Sequence, residues 1–253
     1  MGWRDGVRRV SGERAVNRED AKATGFLDWE RVPRSVLIVG GSPEGVSPRI
    51  VGRIAPRVAH TVAVDRGLDV VLEAGAEPDL FCGDADSVSA AGAALVRAAE
   101  AAAAAGDEPR FAVERYNPHK DYTDLSLALR AVRERWGAVP LVCCGLGGGR
   151  PDHLLGVLGC LAGWPGPVFF AEDAYRGRVL HVGERWEPGG SPGARFSFVP
   201  LSSEAEVSLA GLRWCLDHAR VGLLSDLGIS NVVEVPEAAI TCHAGTVVAW
   251  LFE

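Results

Sequence analysis

Short apolar runs that stop at glycine or aspartate, each separated from the next by a helix-patterned stretch, constrain this chain more than any other feature. Ser35-Val36-Leu37-Ile38-Val39 ends at Gly40-Gly41, and Thr61–Val64, Asp79–Cys82, Phe111–Arg115 and Val139–Cys144 follow as further strands. A strand that is apolar on both sides has to be covered on both, and helices placed between successive strands supply the covers. The intervening segments carry that pattern. Helices are expected around Ile50–Ala55 and Leu68–Ala74. Alanine-dense Ala90–Ala105 reads as a surface helix closed by Gly106. Leu125, Leu129, Val132 and Trp136 mark a helix from about Tyr122 to Trp136, ended by Gly137. Pro151 opens another over Asp152–Leu161. The implied architecture is α/β, a mostly parallel sheet with flanking helices.

After about Ala174 the period changes to two. Phe196 and Phe198, Val207 and Leu209, Val233 and Val235, and Ile240 and Cys242 alternate with polar residues between Gly, Pro and Ser punctuation. This is the pattern of a small antiparallel β-sandwich or barrel. The chain therefore reads as a loosely structured extension over 1–33, an α/β domain over 34–174 and a β-sandwich domain over 175–253. At 47% hydrophobic and 23% charged residues, it has ample apolar material for these cores and is not a disordered chain.

Charge narrows the partners. Twenty-six Lys and Arg against 33 Asp and Glu give a net charge of -7, with no sustained basic stripe, so nucleic acid is not the main partner. An acidic surface suits metal cations and cationic small molecules. Six cysteines without a CxxC pair point to a reducing compartment. No apolar leader opens the sequence and no run reaches the ~18 residues of a membrane span. A soluble, cytoplasmic protein with no membrane partner is expected.

Three polar clusters follow strand ends, where ligands bind in open α/β sheets. In Gly83-Asp84-Ala85-Asp86-Ser87, an extended backbone would aim Asp84 and Asp86 the same way. Two such carboxylates repel unless a cation such as Mg²⁺ sits between them; a solvated Asp/Ser turn is the plain alternative. In Lys120-Asp121-Tyr122-Thr123-Asp124, Asp121 or Thr123 suits the N-cap of the next helix, and Asp124 its positive end. Capping leaves Lys120 unexplained, and a lysine beside phosphate with Asp121 near the metal is the functional reading. Gly145-Leu146-Gly147-Gly148-Gly149-Arg150-Pro151-Asp152-His153 lets backbone approach a ligand and offers a guanidinium fork. It lacks the Gly-Lys-Ser/Thr of a P-loop, and a bare strand-to-helix turn is its alternative. His153 reads as an orienting hydrogen-bond partner. Asp65 closes the second strand, where an ordinary turn aspartate is equally plausible. Trp214 is either sandwich core or a platform for a flat cation, and Ser230-Asn231 after Gly228 can be only a turn.

Taken in order, Asp65-Arg66-Gly67, Pro78-Asp79 with Gly83–Ser87, Lys120–Asp124, Gly148–His153 and Gly228-Ile229-Ser230-Asn231 resemble the thiamine pyrophosphokinase family over roughly residues 36–253. The resemblance implies an α/β nucleotide-binding domain, a C-terminal β-sandwich, and a homodimer whose active sites lie between subunits. It implies Mg²⁺-dependent transfer of a diphosphoryl group from ATP to the hydroxyl of thiamine, giving AMP and thiamine diphosphate. Asp65, Asp84, Asp86 and Asp121 would gather around the metal and triphosphate, with Asp84, Asp86 and Asp121 as metal ligands and Lys120 and Arg150 as phosphate partners. Asp65, Asp124, Asp152, His153, Trp214, Ser230 and Asn231 are the candidate substrate contacts. Two positions depart from the family: Ala85 stands where Phe is usual between the paired aspartates, and Ser126 where Glu is frequent. Competing readings are a related diphosphokinase with a hydroxymethyl-pterin type of acceptor, a non-catalytic thiamine or nucleotide sensor, and a Mg²⁺-dependent phosphohydrolase.

Overall fold

The parallel sheet and its helices occupy one of two compact units, which divide between Asp173 and Ala174 in the computed structural model. Residues 34–42, 46–116 and 121–252 are described; the extension expected over 1–33 lies outside them. The first unit runs β1 (Val36–Val39), α1 (Pro48–Ile54), β2 (His60–Val64), α2 (Gly67–Glu73), β3 (Leu80–Gly83), α3 (Ala90–Ala105) and β4 (Ala112–Arg115). It continues with α4 (Asp124–Trp136), β5 (Leu141–Cys144), α5 (Pro151–Ala162) and β6 (Val168–Ala171).

Its strands lie in the order β6-β5-β1-β2-β3-β4, and every pair is parallel. Val36 to Val39 and Leu141 to Cys144 have no exposed surface, as two-sided covering requires. Each fully buried large aliphatic or aromatic side chain contributes about 1.5–3 kcal/mol. After β4 the chain returns to the far side of β1 to lay down β5, so the winding direction reverses between β1 and β5. That reversal opens a crevice at the carboxyl edge of the sheet.

Local signals set the helix ends. Ser47, Ser89 and Thr123 accept a backbone N–H at the heads of α1, α3 and α4, and Gly106 ends α3 in the left-handed conformation. Only Gly92, Val96 and Ala99 of α3 are buried, so it is the surface helix its alanines imply.

The strands of the second unit pair antiparallel in two sets of four. One has the order β12 (Asn231–Val232), β9 (Arg195–Pro200), β14 (Thr246–Phe252), β7 (Tyr175–His181). The other has β11 (Leu216–Gly222), β10 (Glu204–Ala210), β13 (Ala239–Ala244), β8 (Arg185–Trp186). Phe196, Phe198, Val207, Leu209, Ile240 and Cys242 join one core, as their alternation predicts. Val235 does not: it is 41% exposed, because β12 ends at Val232 and only Val233 stays inside. Among the described residues no helix is long and apolar enough to cross a membrane.

Candidate functional site

Glycines make the crevice possible. A Cβ on Gly40 would lie 2.7 Å from the Gly145 carbonyl oxygen, and one on Gly145 would lie 2.6 Å from that of Gly40. The β1 and β5 exits therefore pack backbone against backbone at the winding reversal. One strand further on, Asp65 (φ 48°) turns its carboxylate over Gly83, where a Cβ would come within 1.9 Å of Oδ1. The structure thus brings Asp65 to the aspartate loop that follows β3.

Asp84 and Asp86 do converge, but not by strand alternation. Ala85 has φ 61° and the Asp86 N–H donates to Asp84 Oδ1 at 3.1 Å, so a tight left-handed turn folds one carboxylate onto the other. An extended backbone is ruled out at Ala85, since the strand ended at Gly83. Arg115 fixes the loop from β4, donating to the Asp84 carbonyl at 3.0 Å and to Glu100 of α3 at 3.2 Å. The contact with Asp84 raises the Asp86 carboxyl above its ordinary value, with Asp124 adding to the effect. Two carboxylates held this close repel one another and form a donor pair suited to a divalent cation.

The pair is not a closed metal cage. Among the described residues no group of three or more His, Cys, Asp or Glu is arranged to hold a metal ion. Asp121 is therefore not gathered with Asp84 and Asp86 as the expected third ligand. Thr123 takes the cap of α4, its Oγ1 accepting the Ser126 N–H at 3.3 Å, and Asp121 is left exposed on the preceding bend. Asp124, in the first helical turn, is the acid whose charge reaches Asp86. Mg²⁺ takes one or two carboxylates and fills its shell with phosphate oxygens and water, so the pair fits that ion. Ser126 sits at the third helical position, where Glu would complete a capping box. Lys120 lies outside the described residues.

The glycine turn after β5 has an occupant the sequence did not reveal. Glu172, directly after β6, accepts the N–H groups of Gly145 at 3.0 Å, Leu146 at 3.1 Å and Gly147 at 3.3 Å. Those donors are thus taken by the chain itself. Burial pushes the Glu172 carboxyl up, against the pull of its three donors. Asp173 accepts the Ser47 N–H at 2.6 Å. A run of two acids after an apolar strand was the available signal.

Arg150 and Asp152 form a two-point fork, Nε to Oδ1 at 3.1 Å and Nη2 to Oδ2 at 2.5 Å, on the surface at the head of α5. The guanidinium holds Asp152 down at about 2. His153 is exposed, and its backbone N–H donates to Asp152 Oδ1. The fork uses two of the five guanidinium donors, leaving a face of Arg150 for an anion.

In the second unit, Trp214 is 42% exposed and so is not core. Arg213 lies over its ring at 5.7 Å. Asn231 is buried, and its side chain is spent on Trp214: Oδ1 accepts the Trp214 N–H at 3.1 Å and Nδ2 donates to the Trp214 carbonyl at 2.8 Å. It holds the tryptophan loop in place. Ser230 (φ 60°) is exposed beside it and donates its N–H to Ser197. Leu223, Leu224, Leu227 and Ile229 leave an apolar surface on the loop leading to Ser230.

Three thiols of the first unit are buried in its strands. Burial pushes Cys82 up to about 12 and Cys143 and Cys144 above the ordinary thiol range, leaving no thiolate near neutral pH.

Two family descriptions match the sequence: "Thiamin pyrophosphokinase, catalytic domain" over residues 53–165 and "Thiamin pyrophosphokinase, vitamin B1 binding domain" over 187–247. The structure is similar to that of thiamine pyrophosphokinase from Bacillus subtilis, with 25% identity, 86% of this chain and 98% of that chain covered, and TM-score 0.69. It is also similar to the enzyme from Geobacillus thermodenitrificans, with 26% identity, coverage of 86% and 97%, and TM-score 0.66. The yeast thiamin pyrophosphokinase shares the fold at 12% identity, with coverage of 94% and 90% and TM-score 0.67. No curated protein sequence matches significantly.

Proposed function

The chain belongs to the thiamin pyrophosphokinase family, and on that premise we propose that it transfers the diphosphoryl group of ATP to the hydroxyl of thiamine, yielding AMP and thiamine diphosphate. The observation that carries this reading is the order of the two matches, a catalytic domain on the α/β unit and a vitamin B1 binding domain on the β-sandwich.

The hydroxyl oxygen of thiamine attacks the β-phosphorus in line, the bond from that phosphorus to the α-phosphate oxygen breaks, and the hydroxyl proton is released. Little covalent help is needed; positioning and charge stabilisation carry the rate. Asp84 and Asp86 would hold Mg²⁺, with phosphate oxygens and water as its other ligands. Bound there, the ion would neutralise charge developing on the phosphate oxygens. Arg150 offers its remaining donors to the phosphate chain, and Asp65 borders the aspartate loop of Asp84 and Asp86. Trp214 presents a ring face to the flat, cationic thiazolium, with Ser230 beside it.

The protein we propose is a homodimer in which a second copy completes each acceptor pocket. The apolar surface of Leu223, Leu224, Leu227 and Ile229 supports this, since such a patch on a working enzyme is ordinarily covered. Its six free cysteines support a cytoplasmic site of action.

Chromatography of the products from protein, ATP, Mg²⁺ and thiamine tests the reading. AMP and thiamine diphosphate appearing in equal amounts, and neither without thiamine, is the expected result. ADP or phosphate released without thiamine would replace transfer with hydrolysis.

A further inference from the structure

Successive backbone N–H groups that converge on one point make an anion-binding nest, and in a glycine-rich turn such a nest ordinarily receives a phosphate. Here the donors of Gly145, Leu146 and Gly147 converge on Glu172, whose carboxylate is part of the same chain. The turn has few other restraints of its own. Of residues 145–149 only Leu146 has a side chain, and Gly145, Gly148 and Gly149 all have positive φ, at 64°, 84° and 71°. From that turn the chain passes directly into Arg150, the N-cap of α5, which lacks a side-chain hydrogen bond to the helix backbone.

We infer that Glu172 is a positioning residue for phosphoryl transfer, filling the nest so that the glycine turn presents Arg150 to the phosphate chain and does not seize a phosphate itself. The inference rests on the transfer reading above. Two contacts support a clamp at this point: the Ser42 hydroxyl donates to the Gly147 carbonyl, and the adjacent Asp173 accepts the Ser47 N–H at the head of α1. The acidic pair after β6 thereby ties the glycine-bearing exit from β5 and the head of α1 to one strand end. A phosphate bound in the nest would sit on the backbone of residues 145–147, three residues short of Arg150 in the chain. The negative charge of Glu172 excludes that mode while its oxygens supply the order a phosphate would have imposed.

The test uses Glu172→Gln and Glu172→Ala in the full-length protein. The glutamine variant keeps the size of the side chain but turns one acceptor into a donor facing an N–H; the alanine variant empties the nest. Three measurements are made on each, after circular dichroism has established folding: kcat and KM for both substrates, and binding of sulfate as an inert dianion by calorimetry. Misplacing a charge-stabilising group by about 1 Å costs on the order of 100-fold in rate, so kcat is expected to fall by roughly 10- to 100-fold in both variants, with KM for thiamine changed less than about twofold. Sulfate affinity is expected to rise by about tenfold in Glu172→Ala alone, which a merely structural residue would not produce. Wild-type kcat in both variants, or a sulfate affinity unaltered by Glu172→Ala, would overturn the inference while leaving the transfer reading intact. Failure of the wild-type protein to form AMP would instead overturn the transfer reading and the positioning role with it.

Discussion

Replacing Asn231 with alanine is expected to loosen Trp214 without removing a single atom of it. Three hydrogen bonds are lost: two through Oδ1, to the N–H groups of Trp214 and Val232 at 3.1 and 2.8 Å, and one through Nδ2, to the Trp214 carbonyl at 2.8 Å. Each is worth about 0.5–1.5 kcal/mol net. Because Trp214 is partly exposed, water can recover some of this, and a loss of about 2–3 kcal/mol is expected. Thermal unfolding should then shift down by roughly 5–10 °C. Binding has a separate consequence. Thiamine would now have to order the tryptophan loop itself, and fixing one residue's backbone costs about 1–2 kcal/mol, so its dissociation constant is expected to rise by about tenfold. Calorimetric titration with thiamine, beside a non-hydrolysable ATP analogue whose affinity should not change, reads this directly. Asn231→Asp keeps the two acceptor bonds but sets an oxygen against the Trp214 carbonyl, and an intermediate loss is expected. Unchanged thiamine affinity in Asn231→Ala, while Trp214→Ala weakens it, would refute the claim that Asn231 acts through the tryptophan.

Other perturbations bear on the remaining parts of the site. Asp84→Asn and Asp86→Asn should each remove most turnover while the protein stays folded; near-normal rates at limiting Mg²⁺ would dismiss the carboxylate pair as the metal site. Asp86 is raised by its neighbour, so the native state takes up a proton that an ordinary aspartate, near 3.8, would not. Its contribution to stability is therefore full below the ordinary value and lost as pH rises through the raised one. Without metal, Asp86→Asn should melt no lower than wild type at pH 7, and the two should approach each other on acidification; a lower midpoint at pH 7 would contradict the repulsion. Trp214→Ala should weaken thiamine binding about fivefold or more and leave ATP binding alone, given about 1 kcal/mol for a ring and a cation; equal effects on both ligands would return the residue to a structural role. Gly83→Ala should displace Asp65, because its Cβ would come within 1.9 Å of Oδ1, and a fully active variant would argue against a role for Asp65 at the phosphates.

What the sequence determined by itself was whatever depends on neighbours along the chain. Apolar runs such as Val36–Val39 and the helical spacing of Leu125, Leu129 and Val132 set the elements, because burial patterns follow the periods of strand and helix. Caps such as Thr123 and the stop at Gly106 are equally local. The aspartate and arginine motifs could be located at strand ends for the same reason. Where a backbone leaves its regular form, local reading failed: Ala85 in a left-handed turn, not an extended strand, brings Asp84 and Asp86 together. The tertiary structure alone decided which polar groups were already satisfied. Glu172 reaches a turn 25 to 27 positions earlier, and Asn231 holds a tryptophan 17 positions away. Neither partner is visible in the spacing, since hydrogen-bond partners brought together by the packing of separate strands leave no periodic mark on the sequence. Those two contacts decide which glycine donors are taken and where the tryptophan stands, and so how the site can meet its substrates.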